Sequence, residues 1–155
     1  PECYSSHRPN SASIGTRAYQ MALYVVFESN LQMLADNPTI YNMYPDCRDF
    51  IAACPVNWDE TRVLAAEFGE YTLVARRKGD KWYIGGITNG TARDITVSLD
   101  FLADGKSYNA TSFTDAVNSS VQAMDYRKHS TRMRKNDTLN IHMVRNGGYA
   151  AVIEP

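Results

Sequence analysis

The sequence has 155 residues, of which 44% are hydrophobic and 21% are charged, and its formal net charge is −1. This is the composition of a globular protein and argues against wholesale disorder. The near-neutral charge excludes a basic field for nucleic acid, and no apolar run approaches the roughly 18 residues of a membrane span. Because the chain begins at Pro1, without an initiator Met or an apolar secretory segment, we expect it to be the tail of a larger protein.

The pattern of the sequence changes near residue 56. Residues 16–28 begin with a threonine suited to an N-cap and are apolar around most of the helix circumference, which predicts a helix that other elements must cover. Residues 31–36 are a short apolar run typical of a buried parallel strand. A second helical stretch, interrupted by Pro45, follows over residues 37–54. The order helix, strand, helix is typical of a (β/α) barrel or a doubly wound sheet.

Beyond Pro55, short alternating segments and turn residues follow one another at regular spacing. Gly79-Asp80 is a turn signal that predicts a hairpin over residues 76–84. Even spacing of this kind indicates an antiparallel sandwich. We therefore predict an α/β piece over residues 1–56, followed by an all-β domain over residues 57–155. Its strands are expected at 61–66, 70–77, 81–88, 93–99, 107–113, 127–133, 138–144 and 149–153.

Two places carry side chains that suit carbohydrate chemistry. Asp36 ends the predicted strand, where a barrel keeps its active-site mouth, but it could equally cap the next helix together with Asn37. The second place is the junction between the two halves, where an aromatic, two carboxylates and a guanidinium lie together. A sugar site uses these groups, but so does an interdomain latch, which we favour. The latch candidates are Trp58, Asp59, Glu60 and Arg62.

Other charged side chains are interpreted as structural. Arg76-Arg77-Lys78 is expected to be a solvated strand end, and Glu28, at the end of a helix, is expected to pair with Arg17. Three cysteines and three histidines lack the spacing of a metal site, so no metal ligand is assigned. No G-x-S-x-G, P-loop or dinucleotide motif is present, and no complete catalytic constellation is found.

Four segments together resemble the C-terminal part of glycoside hydrolase family 97. The resemblance covers nearly the whole chain, and its motifs are together quite specific. One departure is Asn30, where the family usually has proline. The segments are Gly15-Thr-Arg-Ala-Tyr through Ala-Asp-Asn-Pro38, Trp58-Asp-Glu-Thr-Arg62, Gly69-Glu-Tyr through Trp-Tyr-Ile-Gly85, and Gly147-Gly-Tyr-Ala-Ala151.

The resemblance implies a bacterial α-glucosidase or α-galactosidase, periplasmic or secreted, that acts on α-linked oligosaccharides. Family members have an N-terminal β-sandwich, a catalytic (β/α)8 barrel and a C-terminal all-β domain, and residues 1–56 would then be the end of the barrel. A calcium ion and the general acid are expected in segments that precede Gly15. This chain would therefore contain no catalytic residue, would be inactive alone, and would have the rest of the enzyme as its partner.

Two questions stay open at this point. The residues do not distinguish glucoside from galactoside, or inversion from retention. The alternative function is a non-catalytic carbohydrate-binding or structural module, which would display an aromatic platform at Trp82 or Tyr83. If the chain is a fragment, residues 16–54 must be covered by other polypeptide, and we expect Val25, Phe27, Leu31 and Met33 to be exposed in the chain alone.

Overall fold

A computed structural model of the protein describes residues 14–34 and 37–155. Three helices come first: α1 (Arg17–Val26), α2 (Pro38–Met43) and α3 (Pro45–Ala53). Eight strands follow: β1 (Glu60–Glu67), β2 (Tyr71–Lys78), β3 (Lys81–Thr88), β4 (Arg93–Ser98), β5 (Tyr108–Asp115), β6 (Tyr126–Met133), β7 (Thr138–Met143) and β8 (Gly148–Glu154). Each of the eight predicted strands is present.

The strands form two antiparallel sheets. The larger has the order β1-β2-β3-β8-β5-β6, and the smaller pairs β4 with β7. The predicted hairpin is β2 and β3, in which Lys78 pairs with Lys81 across a two-residue turn. Gly79 has a φ of 58°, a left-handed conformation that glycine adopts without steric cost. The prediction of an antiparallel all-β part is confirmed.

The first core lies between the two sheets. Alternate residues of the central strands point into it, as the period of two in a strand requires. The small sheet closes this core from the other side. The buried residues include Leu73, Trp82, Ile84, Tyr149 and Ile153 from the large sheet and Val97, Leu139 and Ile141 from the small one.

The second core lies on the opposite face of the large sheet, which α1 and α3 cover. Met21, Ala22 and Val25 of α1 pack there with side chains of the sheet such as Tyr83 and Ala150. α1 can approach the sheet closely because two strand positions beneath it are glycines. A Cβ added at Gly85 would lie 2.7 Å from Cβ of Val25, and one added at Gly148 would lie 2.6 Å from N of Tyr19.

The first half departs from the prediction between α1 and α2. Residues 31–34 form no strand, so the predicted strand is wrong there, and residues 35 and 36 lie outside the described residues. A strand needs neighbours that satisfy its backbone N–H and C=O groups, and none of the eight described strands lies beside this segment. In the described part of this half, residues 27–34 follow α1 without a strand, α2 and α3 come after them, and no part of a barrel sheet is seen.

Only part of this first half is buried within the described chain. Val25 is fully buried, because α1 packs on the large sheet of its own chain. Our expectation that Val25 would be exposed is wrong. Phe27, Leu31 and Met33 are 58%, 78% and 81% exposed, as expected. One face of α1 is thus covered within the chain, whereas the segment after it is not.

Candidate interdomain interface

Hydrogen bonds to backbone carbonyl groups hold the segment that follows α1 against the helices. The Tyr24 hydroxyl donates a hydrogen bond to the carbonyl O of Met33 at 3.1 Å, and Nε2 of Gln32 donates to the carbonyl O of Tyr24 at 3.1 Å. The hydroxyl of Tyr41 in α2 donates to the carbonyl O of Leu34 at 3.0 Å. These bonds place residues 31–34 in a defined conformation, although no sheet pairs with them.

The side chains of this segment point away from the domain. Leu31 and Met33 are exposed, as noted above, and Leu34 is 42% exposed. Leu31 and Met33 border a groove of about 290 Å³ along α1, together with Phe27. We call Phe27, Leu31, Met33 and Leu34 the apolar strip. Exposed apolar side chains on a fixed backbone are typical of a protein interface rather than of a free surface.

The C-terminal end of α1 is joined to the large sheet by Arg76. Its guanidinium, 6% exposed, donates from Nη2 to the carbonyl O of Val26 at 3.0 Å and from Nη1 to the Thr61 hydroxyl at 3.3 Å. Nη1 also lies 3.6 Å from a carboxylate oxygen of Glu28. The prediction that Arg76 is a solvated strand end is wrong. Arg76 follows the buried Val74 by two residues on β2, so the two side chains lie on the same face of the strand. This spacing is the sequence signal that Arg76 points inward.

Glu28 was expected to pair with Arg17, and this is also wrong. Arg17 instead stacks on the ring of Tyr44, with its guanidinium carbon 3.7 Å from the ring centre, and it lies 5.4 Å from the ring of Tyr126. The Tyr126 hydroxyl in turn donates to the carboxylate of Asp46, at 2.8 and 3.0 Å. This cluster fixes the start of α3 on the sheet.

The carboxylates of the latch contact the β2–β3 hairpin. The Asp59 carboxylate accepts a hydrogen bond from N of Gly79 at 2.7 Å and one from Nζ of Lys78 at 3.3 Å. These bonds hold the pKa of Asp59 below its usual range, with the Gly79 bond as the larger cause. Glu60 accepts from Nε of Arg62 at 2.7 Å and from Nε of Arg77 at 3.2 Å, and both lower its pKa.

Trp58 is the latch residue that faces the helices. Its ring lies edge-on to the ring of Tyr83 with 5.4 Å between centroids, and the Arg76 guanidinium carbon lies 5.9 Å from its ring centre. The Tyr83 hydroxyl donates to the carbonyl O of Ala53 at the end of α3, at 3.2 Å. Within the described residues, the carboxylates of the latch thus join the start of β1 to the β2–β3 hairpin, and Trp58 packs on Tyr83, which in turn bonds to α3. Whether they also contact a further domain stays a prediction.

The aromatic platform that the alternative function requires is not formed by Trp82 or Tyr83. Trp82 is 5% exposed in the core between the sheets, and Tyr83 is 4% exposed in the core beneath the helices. Alternation along β3 sends the two rings to opposite faces, but both faces are covered. The sequence does not show that the helices cover the second face.

The half-buried carboxylate of Asp115 lies beside Thr16, the N-cap of α1. Oδ2 of Asp115 accepts hydrogen bonds from N of Val144 at 3.0 Å and from N of Gly148 at 3.1 Å, whereas Oδ1 is buried without a partner. Burial raises the pKa of Asp115, and these N–H groups and the Thr16 hydroxyl oppose that rise. Sequence reasoning missed this residue, since an aspartate at the end of a strand gives no signal of burial.

The described residues do not fit a metal ion. Among residues 14–34 and 37–155, no three side chains of His, Cys, Asp or Glu are placed to hold one. Burial raises the pKa of the Cys54 thiol to about 12, which keeps it protonated. Asp36, the substrate-rim candidate, lies outside the described residues. No helix in the described part of the chain is both long and apolar enough to span a bilayer.

The comparisons with known proteins agree with this division into strands and helices. A family model described as the glycosyl-hydrolase 97 C-terminal domain, oligomerisation, matches residues 57–154. The chain is 48% identical over 152 residues to a retaining alpha-galactosidase of Bacteroides thetaiotaomicron, and covers 22% of that protein with 98% of its own length. It is 34% identical over 147 residues to a probable retaining alpha-galactosidase of Streptomyces bingchenggensis, with 94% of the chain and 22% of that protein covered.

A solved structure gives the same result. The fold matches a glycoside hydrolase family 97 enzyme in complex with acarbose, from Pseudoalteromonas sp. strain K8, with a TM-score of 0.88 and 33% identity. The match covers 93% of this chain and 23% of that one. The chain thus spans somewhat more than a fifth of the length of these relatives.

Proposed function

Because this chain belongs to glycoside hydrolase family 97, whose C-terminal domain it matches, we propose that it is the C-terminal part of a retaining α-galactosidase. The strands and helices of this part would carry no catalytic residue. The support for the activity is the 48% identity with a retaining alpha-galactosidase over nearly the whole chain. A galactoside is preferred over a glucoside because both curated relatives described above carry that name. The bond cleaved would be a terminal α-galactosidic bond, and the reacting carboxylates would come from other parts of the enzyme.

The role proposed for this part is to hold the end of the catalytic (β/α)8 barrel. α1 and α3 already lie on the large sheet through the second core. The apolar strip, which lies between them, would pack against that barrel. One observation carries this proposal: the carbonyl groups of Met33 and Leu34 in the apolar strip accept hydrogen bonds from the helices, yet the side chains of the strip are exposed within the described residues.

The energetics favour the same conclusion. Burial of a large apolar side chain stabilises a protein by about 1.5–3 kcal/mol. Four such side chains in the apolar strip would contribute a sum comparable to the stability of a small domain, about 5–15 kcal/mol. A barrel that covers the strip would therefore be strongly coupled to the sheet domain through α1.

The calcium ion and the export of the enzyme are proposals that rest on the resemblance. The described residues offer no fit for calcium, so we place its ligands in the barrel segments that precede residue 15 and derive no chemical step from it. Export to the periplasm or the medium would bring the enzyme to its α-linked oligosaccharide. A carbohydrate-binding module is not favoured, because the two aromatic residues proposed for its platform are buried.

The test compares the complete enzyme with the 155-residue chain on nitrophenyl α-galactoside and α-glucoside. We expect hydrolysis by the complete enzyme, with a preference for the galactoside, and none by the chain. In the complete enzyme, Leu31→Glu and Met33→Glu should abolish activity or folding, whereas Thr138→Glu on the exposed face of β7 should have no effect. Turnover by the chain alone, or full activity of both strip variants, would contradict the proposal.

A further inference from the structure

Among residues 14–34 and 37–155, nothing covers one strand of the large sheet on the side of the helices. The residues of β1 that pair with helix-facing residues of β2 are Thr61, Val63 and Ala66. All three are exposed, and Val63 is 66% exposed. On the other side of the same strand, Leu64 and Ala65 are partly buried against the core between the sheets. The strand is therefore covered on one face and bare on the other.

The bare surface lies at one edge of the sheet. Six strands at a spacing of about 4.8 Å span about 24 Å between the outer strands, and a helix with its side chains is about 10 Å wide. α1 packs on β3 and β8, beside β2, and α3 lies toward β5, where Phe50 contacts Phe113 with ring centroids 5.3 Å apart. The helix-facing Val74 and Arg76 of β2 are buried, so the face that these two helices leave uncovered is that of β1.

The edge of the bare surface carries a protruding aromatic side chain. Phe68, in the turn between β1 and β2, is fully exposed. It borders a groove of about 550 Å³ whose other walls include Tyr19 of α1 and Thr72 and Ile87 of the sheet. The groove runs between α1 and the end of β1, so an element that filled it would contact both.

A further strand is not the element that fits here. The pairing of β1 with β2 shifts register between Val63 and Ala65, which marks a β-bulge in the edge strand. Bulges of this kind twist an edge strand and hinder the addition of another one. The available partner surface is the face of the strand, with Val63 and Ala66 on it, and an amphipathic helix is the element that covers such a face.

We propose that an amphipathic α-helix from the polypeptide that precedes this chain in the complete enzyme packs over β1, beside α1, with its apolar face on Val63, Ala66 and Phe68. The proposal rests on the proposed function, since it requires that the chain be part of a longer enzyme. The complete enzyme has enough further polypeptide to supply this helix, because the chain covers only 22% of the retaining alpha-galactosidase that it resembles at 48% identity. The sheet domain would then hold the catalytic part through three helices.

A photo-crosslinking experiment on the complete enzyme tests the identity of the occupant. Phe68 and Val63 are replaced, one at a time, by benzoylphenylalanine, and the crosslinked peptides are identified by mass spectrometry. We expect crosslinks to one segment that precedes Pro1 in the complete enzyme, at positions three or four residues apart, since such residues share a helix face. Thr138, on the exposed face of β7, is the matched control and should give no crosslink to that segment.

Cysteine labelling separates this occupant from a second copy of the enzyme. The labelling rate of Val63→Cys by iodoacetamide is measured in the complete enzyme and in the 155-residue chain, at several protein concentrations. We expect labelling to be at least about tenfold slower in the complete enzyme, at every concentration. Protection that appears only at high concentration, with crosslinks between subunits, would assign the surface to oligomerisation and overturn the proposal. Equal rates in the two proteins would also overturn it.

The outcome is independent of the activity assay. If the enzyme hydrolyses no α-galactoside but Val63→Cys is protected and the crosslinks fall on one upstream helix, the proposed activity fails and this inference holds. If the enzyme is active and the site is unprotected, the inference fails and the proposed activity holds.

Discussion

Arg76 donates a hydrogen bond from Nη2 to the carbonyl O of Val26 at 3.0 Å, and thereby joins β2 to the last residue of α1. The last carbonyl groups of a helix have no partner within the helix, and positive charge is favourable at this end because of the helix dipole. One buried side chain of the sheet thus stabilises the end of a helix 50 residues earlier in the chain. This contact couples the helical segment to the sheet domain.

We predict that Arg76→Met destabilises the protein by about 1.5–3 kcal/mol, the usual range for hydrogen bonds that involve a charged group. Methionine keeps most of the apolar stem of the side chain and removes its donors. The matched control is Arg77→Met, the next residue, which is half-exposed and whose surface ion pairs should cost less than about 1 kcal/mol. The free energy of unfolding from urea titrations measures both, and equal effects would contradict the capping role.

The close approach of α1 to the sheet gives a second prediction. A Cβ added at Gly85 would also lie 2.9 Å from the carbonyl O of Ala22. This oxygen belongs to the backbone of α1, so it cannot move away without distorting the helix. We expect Gly85→Ala and Gly148→Ala each to destabilise the protein by about 1–3 kcal/mol, as overpacking does. Gly90→Ala is the control, because a Cβ there meets nothing within 4 Å. A shift in the midpoint of denaturation by Gly90→Ala as large as that of the other two would disprove this explanation.

The sequence predicts the strands better than the helical segment, for a physical reason. A strand that alternates and ends in a turn, such as β2 before Gly79-Asp80, contains its own signal. The state of residues 31–34 depends on neighbours that their sequence does not contain, so an apolar run alone predicts a strand that this chain does not form. The candidate site could be predicted only in part, since the burial of Arg76 and Asp115 follows from how α1 lies on the sheet.

The buried carboxylate predicts how stability depends on pH. Burial raises the pKa of Asp115 in the folded protein, so between its unfolded and folded pKa values the folded state holds a proton that the unfolded chain has lost. The free energy of unfolding should therefore fall as pH rises through this window. Asp115→Asn keeps an oxygen acceptor and removes the titration, so the wild type should lose stability relative to this variant as pH rises from the unfolded pKa of an aspartate, about 4, toward the raised pKa of the folded protein.

The control for this pH dependence is a carboxylate whose pKa is displaced in the opposite direction. The Gly79 N–H and Lys78 lower the pKa of Asp59, so its contribution is present above the unfolded pKa and is lost as pH falls through the folded one. The free energies of unfolding of Asp59→Asn and the wild type should therefore converge at low pH. In the same range, the free energies of unfolding of Asp115→Asn and the wild type should change with pH at the same rate. Parallel stability curves for the wild type and Asp115→Asn at all pH values would show that Asp115 titrates normally.

The last prediction separates the two neighbouring residues that precede α2. The Asn37 side chain accepts hydrogen bonds from N of Thr39 at 3.1 Å and from N of Ile40 at 3.2 Å, so Asn37 is the N-cap of this helix. Asn37→Ala should therefore cost about 1 kcal/mol of stability and leave the kinetics of the complete enzyme unchanged. Asn37 supplies the cap, and Asp36 lies outside the described residues, so for Asp36 we keep the prediction of a place at the substrate rim of the complete enzyme, where it should act on catalysis. Asp36→Ala should raise KM or lower kcat of the complete enzyme at unchanged thermal stability, whereas unchanged kinetics with a lower melting temperature would assign Asp36 to the helix cap instead.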